Sequence, residues 1–217
     1  MRKILYLLLA AAFVLSAVRS FAAERDWKTV ESGPVTIKSR DLPGGLKEVW
    51  AQGRIDAPVK DVQATLMDSA SFASFMPYVK ISKAFEAKPD GSHLAYTRIY
   101  PPFVAPRDYV LDVKLEKSVG ADGSGEFRNR WEAVPGKLKT FKKVVRIDHN
   151  SGSWHVKPQP GGASIATYTF VVDPGSKIPG FVAKKADRKG VLNMWKAVEK
   201  EAKRREAMRS VQASAQS

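Results

Sequence analysis

Residues 78–173 run through seven short segments that alternate apolar and polar side chains, and this pattern constrains the fold more than any other feature of the chain. Turn-forming stretches such as KPDGS, GADGS and NSG separate the segments. The alternation is clearest at 107–117, where Tyr109, Leu111 and Val113 fall on one face. Strands that follow one another through tight turns form an antiparallel meander. The predicted strands are 78–87, 93–100, 107–117, 125–134, 143–149, 152–159 and 163–173.

The segments before the meander predict two strands followed by a helix pair. Residues 27–40 and 46–55 alternate as strands do, and a Leu-Pro-Gly-Gly turn joins them. In 57–77 the apolar spacing changes to that of a helix, and a break at Asp68-Ser69 divides it into two short helices. These helices are expected to connect the first strands to the meander.

The last part of the chain predicts one long helix and, with it, the fold class. Residues 181–208 carry helical apolar spacing, and Gly190 is a predicted soft point within them. Strands and helices that are segregated along the chain give an α+β fold, here a strongly curved antiparallel sheet wrapped around the C-terminal helix. Such a fold encloses space that either side chains or a ligand must fill.

The first 22 residues have the layout of a cleavable secretory signal. Arg2 and Lys3 precede an apolar run that is short for a transmembrane helix, and cleavage is expected after Ala22. An uncleaved N-terminal anchor is the alternative. The chain has no cysteine, which excludes a lipidated cysteine and disulfides. We therefore expect a periplasmic protein with one domain at 23–207 and a disordered tail at 208–217.

The chain is strongly basic, with a formal net charge of +14. An excess of this size favours an anionic partner, either nucleic acid or a membrane surface. Lysines cluster in 137–143, 184–189 and 196–205. Export argues against nucleic acid, so anionic lipid headgroups are the favoured partner, with a merely solvated basic surface as the alternative.

Little in the sequence indicates catalysis. There is no cysteine, no Gly-x-Ser-x-Gly motif and no glycine loop of the kind that binds phosphates. His93, His149 and His155 lie in or beside different strands without metal-ligand spacing, so each is predicted to be a surface or hydrogen-bonded histidine. The sequence therefore predicts no catalytic residue, no metal site and no cofactor.

Several motifs occur along 26–203 in the order and spacing of a known family. YPPFVAPRDYV places a proline-rich turn before an Arg-Asp pair, GSWHVKP precedes the last strand, and DPGSKIPGF stands before the C-terminal helix. The chain resembles the steroidogenic-acute-regulatory-related lipid transfer (START) family, within the helix-grip class. The resemblance implies a helix-grip fold around a deep tunnel that holds one lipid or sterol without catalysis, and a monomer is expected.

The Arg-Asp pair of this motif, Arg107 and Asp108, stands at the head of the segment that alternates most clearly. Arg107 has the parity of the apolar face, which predicts that it points inward. The resemblance implies that both residues anchor the strand and the adjoining turn through buried hydrogen bonds, because a buried arginine needs such partners. A contact from Arg107 to the ligand is the lesser alternative.

Departures from the family pattern imply what the tunnel holds. Phosphatidylcholine-binding members place an arginine and an acid where this chain has Phe72 and Met76. Steroid-carrying members place an acid and a base where it has Leu94 and Val113. Without these charges, a sterol-like or other largely neutral lipid is the expected cargo. The residues expected at the ligand are Phe72, Met76, Leu94, Tyr96, Arg98, Arg107, Val113, Phe127, Trp131, Tyr168, Phe181 and Met194.

The resemblance further implies a gate formed by the C-terminal helix and the loop at 133–141, which would open at a membrane. Basic residues beside the gate are expected to dock on anionic lipid. These residues are Lys137, Lys139, Lys142, Lys143, Lys184 and Lys185. Two alternatives stay open: a cavity enzyme of the polyketide cyclase or hydrolase type acting on a hydrophobic or aromatic substrate, and an interaction module whose cavity is filled by side chains.

Overall fold

The part of the chain that the structure describes contains ten strands and three α-helices. This structure, a computed structural model, describes residues 27–173 and 180–215, with the side chains of 172 and 180–187 outside that description. The strands are β1 (Lys28–Glu31), β2 (Val35–Asp41), β3 (Lys47–Ile55), β4 (Val79–Phe85), β5 (His93–Ile99), β6 (Arg107–Lys117), β7 (Phe127–Ala133), β8 (Val145–Arg146), β9 (Asn150–Gln159) and β10 (Ala163–Val172). The helices are α1 (Val59–Met67), α2 (Phe72–Phe75) and α3 (Gly180–Ser214).

The ten described strands form one sheet. Nine follow the order β1-β2-β3-β10-β9-β7-β6-β5-β4, with every neighbouring pair antiparallel, and the short β8 pairs with β6 off this path. The last strand, β10, pairs with both β3 and β9. It therefore joins the strands from the start of the chain to those of the meander in one sheet. This arrangement confirms the predicted α+β fold, with a large curved antiparallel sheet and a long C-terminal helix.

The helix pair breaks where the sequence predicts. At Asp68 the backbone leaves helical geometry (φ −87°, ψ 65°), between α1 and a single 3₁₀ turn that leads into α2. Pro58 immediately precedes α1 as its N-cap residue, where its missing N–H costs no helical hydrogen bond.

Two local predictions in the strands differ from the structure. The first predicted strand, 27–40, is a hairpin of two strands with its bend at 32–34. The segment 143–149 forms only the two-residue β8, which pairs in parallel with the start of β6, while β7 pairs directly with β9. Alternation alone shows that a segment is extended, but not which neighbour it pairs with.

The C-terminal segment also differs from the prediction, because α3 continues through 208–214, where a disordered tail was expected. Arg209 supplies the physical reason. Its guanidinium donates to both carboxylate oxygens of Asp61 in α1, at 3.1 and 2.7 Å, and so fixes the last turns of α3 to the neighbouring helix.

The hydrophobic core lies at one end of the space between α3 and the sheet. Val198 and Ala202 of α3 are fully buried there against Val62 of α1 and against Phe127 and Val156 of the sheet. Trp195 extends this core, and its indole nitrogen donates to the backbone carbonyl of Arg54 at 3.0 Å. Toward the other end of α3, the space opens into a cavity.

Candidate functional site

A cavity of about 690 Å³ separates α3 from the inner face of the sheet, which we define as the face turned toward α3. Its lining is mainly apolar and aromatic. The helices and the segment after α2 contribute Leu66, Phe72, Met76, Lys189, Gly190 and Met194. The sheet contributes inward-facing residues of six strands, and the β5–β6 loop contributes Pro101, Pro102, Phe103 and Val104. A volume of this size falls in the range of small-molecule sites.

One side of the cavity is an aromatic wall formed by Trp131, Trp154, Tyr168 and Phe170. The Tyr168 ring lies 5.8 Å from Trp131, 4.5 Å from Trp154 and 5.1 Å from Phe170, measured between ring centroids. Contacts of this kind contribute beyond their buried area and hold rings in fixed positions. The wall therefore presents a rigid apolar surface to a ligand.

The absence of a side chain at Gly152 makes room for Trp131 in this wall. A Cβ atom at Gly152 would lie 2.4 Å from the Trp131 ring and 2.3 Å from the backbone oxygen of Thr169. The indole of Trp131 therefore lies directly over the β9 backbone, and its nitrogen donates to the Asn150 side chain at 3.0 Å.

A few polar groups interrupt the apolar lining. Arg107 is 5% exposed, and its guanidinium donates to the backbone carbonyl of Ala105 at 2.6 Å. Burial lowers the pKa of Arg107, because desolvation penalises its charge. Burial likewise raises the pKa of Tyr109 to about 12 and raises the pKa of Tyr168. Both phenols are therefore neutral hydrogen-bonding groups near neutral pH.

A buried serine–histidine pair lies at the cavity beside α2. The Nε2 atom of His93 is 2.8 Å from the Ser69 hydroxyl, and its Nδ1 atom is 3.1 Å from the carbonyl oxygen of Gly91. Because a carbonyl can only accept, Nδ1 carries the proton, and in the neutral ring Nε2 accepts from Ser69. Ser69 lines the cavity, so the hydroxyl end of the pair faces the space that a ligand would occupy.

Several residues expected at the ligand line the cavity. The alternation of β6 sends Arg107 to the inner face, as the sequence predicts. The expected residues that line the cavity are Phe72, Met76, Arg107, Val113, Trp131, Tyr168 and Met194. Whether they contact a ligand remains a prediction.

Three others need a correction, because they belong to the outer face of β5. Thr97 and the other odd-numbered residues of β5 form its inner face. Leu94, Tyr96 and Arg98 alternate with them and do not line the cavity.

Two further expected residues do not line the cavity as described. Phe127 has inward parity on β7 but is 0% exposed, and it is packed into the core rather than beside the cavity. The side chain of Phe181 lies outside the described residues, as do those of Lys184 and Lys185.

The outer face of the sheet holds the second half of the Arg107–Asp108 pair. Asp108 is 1% exposed and accepts two hydrogen bonds from Arg146, at 2.8 and 3.2 Å, and one from the Tyr96 hydroxyl at 3.0 Å. Arg98 lies 3.7 Å from the same carboxylate. Neighbouring residues of β6 therefore point to opposite faces of the sheet. Arg107 lines the cavity, and Asp108 belongs to a buried ion cluster on the outer face.

This ion cluster fastens the segment 134–144, which we call the lysine loop, to the sheet. Arg146 donates to the backbone carbonyls of Leu138 and Lys139 at 2.9 and 3.2 Å, and the Phe141 ring lies 4.0 Å from the guanidinium carbon of Arg98. Lys137, Lys139, Lys142 and Lys143 are all exposed on this loop, and Lys137 pairs with Glu86 at 2.7 Å.

The sequence reasoning missed Ser69, Gly152 and Asn150 in the site. The inward parity of 150, 152 and 154 would have placed Gly152 and Asn150 beside Trp154, had the strand been extended to include residue 150. For Ser69 no sequence signal was available, because its partner His93 lies 24 residues away in another element.

The described residues contain neither a group of side chains that could hold a metal ion nor a helix that could span a membrane. Within 27–173 and 180–215 there is no group of three or more His, Asp or Glu side chains that could hold a metal ion. None of the helices in those ranges has both the length and the apolar character needed to cross a bilayer.

Comparison with known proteins gives a consistent result. Residues 55–199 match the model of the family described as polyketide cyclase / dehydrase and lipid transport. The solved STAR-related lipid transfer protein from Xanthomonas axonopodis is 27% identical, with a TM-score of 0.70 over 82% of this chain and 99% of that chain. No curated protein matches the sequence.

Two human structures share the fold at lower identity. StAR-related lipid transfer protein 5 is 16% identical, with a TM-score of 0.70 over 90% of this chain and 97% of that chain. STARD10 is 18% identical, with a TM-score of 0.69 over 87% and 81%. At these identities the likeness shows the fold alone.

Proposed function

The chain belongs to the polyketide cyclase/dehydrase and lipid transport family, and from this membership and its cavity we propose that it is an exported protein that binds and transfers one lipid molecule. The observation that carries the proposal is the cavity between α3 and the sheet, with its rigid aromatic wall. Burial of a ligand's apolar surface there would drive binding, at about 25 cal/mol per Å². The similar Xanthomonas axonopodis structure, named as a lipid transfer protein, supports the same function.

The lining of the cavity favours a largely neutral cargo. Its volume of about 690 Å³ lies in the range of small-molecule sites, which bury most of a ligand's surface. At the two positions where an arginine and an acid would hold a charged headgroup, this chain has Phe72 and Met76, and both line the cavity. A sterol-like or other largely neutral lipid is therefore the proposed cargo.

Exposed apolar side chains beside the cavity support transient contact with a membrane. Phe103 lines the cavity and is 95% exposed, and Tyr78 and Tyr100 are exposed next to it, joined by a backbone hydrogen bond of 2.8 Å. The lysine loop adds Leu138 and Phe141, which are exposed among its lysines. Apolar groups flanked by positive charge suit an anionic bilayer surface.

The experiment that tests the proposal is native mass spectrometry of the mature protein, followed by extraction and identification of any bound lipid. One bound neutral lipid per chain is expected. Phe72→Asp, which places a charge in the cavity, should remove that lipid, whereas Phe75→Asp should not, because Phe72 lines the cavity and Phe75 does not. An empty wild-type protein that also takes up no sterol or fatty acid from vesicles would refute the proposal.

The Ser69–His93 pair supports a second candidate function, hydrolysis of an ester in the cavity. His93 Nε2 would accept the proton as Ser69 Oγ attacks the ester carbonyl, and would then pass it to the leaving alcohol. Water would hydrolyse the resulting acyl-serine. Turnover of p-nitrophenyl decanoate by wild type but not by Ser69→Ala would establish this function, and equal rates in both proteins would exclude it.

A further inference from the structure

Gly190 is a glycine in the interior of α3 that lines the cavity. Apart from its chain neighbours and the backbone of its own helix, no heavy atom of the described residues lies within 4 Å of the place where its Cβ would stand. Glycine is unfavourable in a helix interior relative to alanine, because it gives up more backbone freedom on folding. A cavity-facing glycine thus lowers the stability of the helix at a position where a larger side chain would have room.

The usual structural reasons for a glycine do not apply at this position. Gly190 lies in helical backbone, which any L residue adopts, and no close packing of another described element against it requires a missing side chain. Gly152 is different, since there a Cβ would collide with Trp131. Because Gly190 has no side chain, the volume that a side chain would fill belongs to the cavity.

Gly190 lies across the cavity from the aromatic wall. The cavity is bounded by α3 on one side and by the inner face of the sheet on the other, and Gly190, Trp131, Tyr168 and Phe170 all line it. Trp195, five residues later in α3 and about 7.5 Å farther along the helix axis, contacts Trp154 of the wall at 5.5 Å between ring centroids.

We propose that Gly190 and the facing wall of Trp131, Tyr168 and Phe170 form a binding subsite for the rigid ring system of a fused-ring, sterol-like lipid. Stacked rings suit a flat, inflexible partner, and the bare helix backbone opposite gives it the width it needs. A flexible acyl chain could bend around a side chain at 190, whereas a fused ring system could not. This subsite rests on the proposed lipid-binding function.

The test replaces Gly190 by alanine and by leucine and measures two fluorescent probes, dehydroergosterol, which has fused rings, and parinaric acid, which is a single chain. Gly190→Leu is expected to weaken dehydroergosterol binding by about tenfold to a hundredfold, because overpacking is costly, and parinaric acid binding by less than about threefold. Gly190→Ala is expected to raise the melting temperature, since alanine favours the helix, while it weakens sterol binding less than leucine does.

Two controls test whether the loss of sterol binding comes from the cavity volume that the leucine side chain fills. Lys196→Leu adds the same side chain to an exposed position of α3 and should change neither probe. Adding Met194→Ala to Gly190→Leu should restore sterol binding, because Met194 lines the cavity one helical turn away. If wild type binds sterol and Gly190→Leu binds it equally well, or weakens both probes alike, the subsite is wrong. If wild type binds neither probe, the proposed function itself fails.

Discussion

At the scale of single residues, neighbouring positions in β6 serve different purposes. Arg107 faces the cavity, whereas Asp108 faces outward and binds Arg146, Tyr96 and, at a longer distance, Arg98. The Asp108 carboxylate is the counterion of two largely buried guanidinium groups, since the side chains of Arg146 and Arg98 are 9% and 13% exposed. Removing such a partner leaves buried positive charge without its counterion.

Asp108→Asn is therefore expected to destabilise the protein by about 3–5 kcal/mol, the range for breaking one partner of a buried ion pair. The free energy of unfolding in urea measures the change. Asp56→Asn is the matched control, because its carboxylate pairs with Arg54 and Lys203 at the surface, where ion pairs contribute little. Equal effects of the two substitutions would show that the Asp108 cluster stabilises the protein no more than a surface ion pair does.

Tyr109 makes stability depend on pH in the alkaline range. Its pKa is raised from 10.0 to about 12 by burial, so the folded protein retains the phenol proton longer than the unfolded chain does. Stability is then unaffected by this group below pH 10 and falls as the pH rises from about 10 to about 12. Urea unfolding at pH 9 and pH 11 should show the loss, and Tyr109→Phe should reduce it. A Tyr109→Phe protein with an unchanged pH dependence would contradict the assignment.

Sequence reasoning succeeded where apolar and polar side chains alternate clearly along a strand, as they do from Tyr109 to Glu116 in β6. In β6 the alternation placed Arg107 inward without any knowledge of the fold. In β5 the outer residue Tyr96 is also buried, at 6% exposure, because the Asp108 cluster and Phe141 cover it. A strand covered on both faces carries no clear alternation, so its residues could not be assigned to the cavity or the outer face.

At the scale of elements, α3 is held by charge at one end and adjoins the cavity toward the other. Arg205 donates to the Asp68 carboxylate at 2.7 Å and to the Ala64 carbonyl at 3.1 Å, so it links α3 to α1. Glu201, which is 7% exposed, accepts from the same arginine at 2.8 Å. The sequence predicted the helix and its apolar face, but not these links, because they join residues far apart in the chain.

Arg205→Ala is expected to lower the free energy of unfolding by about 1–3 kcal/mol, because it removes charge-assisted hydrogen bonds that are only partly exposed to water. It should also speed amide hydrogen exchange in the last turns of α3. Arg204→Ala provides the comparison, since Arg204 is more exposed and pairs with Glu201 within the same helix. If both variants exchange alike, the contact with α1 does not fix this end of the helix.

At the scale of the whole molecule, the cavity, the exposed aromatic residues and the lysine loop occupy one region. The parallel pairing of β8 with the start of β6 is what brings the lysine loop beside the cavity residue Arg107. The resemblance implied that these lysines lie beside the gate of the cavity, but the assignment of 143–149 to the meander did not predict the pairing that positions them. A net charge of +14 would attract the whole chain to anionic surfaces. Within the part of the chain that the structure describes, this region alone combines lysines with exposed apolar groups next to the cavity.

The reversal of charge at Lys139, Lys142 and Lys143 tests whether this region docks on membranes. Each lysine near an anionic surface contributes about 1 kcal/mol, so replacing all three by glutamate should weaken binding to phosphatidylserine-containing vesicles by at least a hundredfold, about fivefold for each lysine removed. Binding by wild type should also weaken as salt rises, because exposed charges are screened within about 8 Å at physiological ionic strength. Affinity for a soluble lipid probe should not change, since none of the three lines the cavity. The same charge change at Lys80, Lys83 and Lys157 is the control, and if it weakens vesicle binding equally, net charge rather than the lysine loop directs the protein to the membrane.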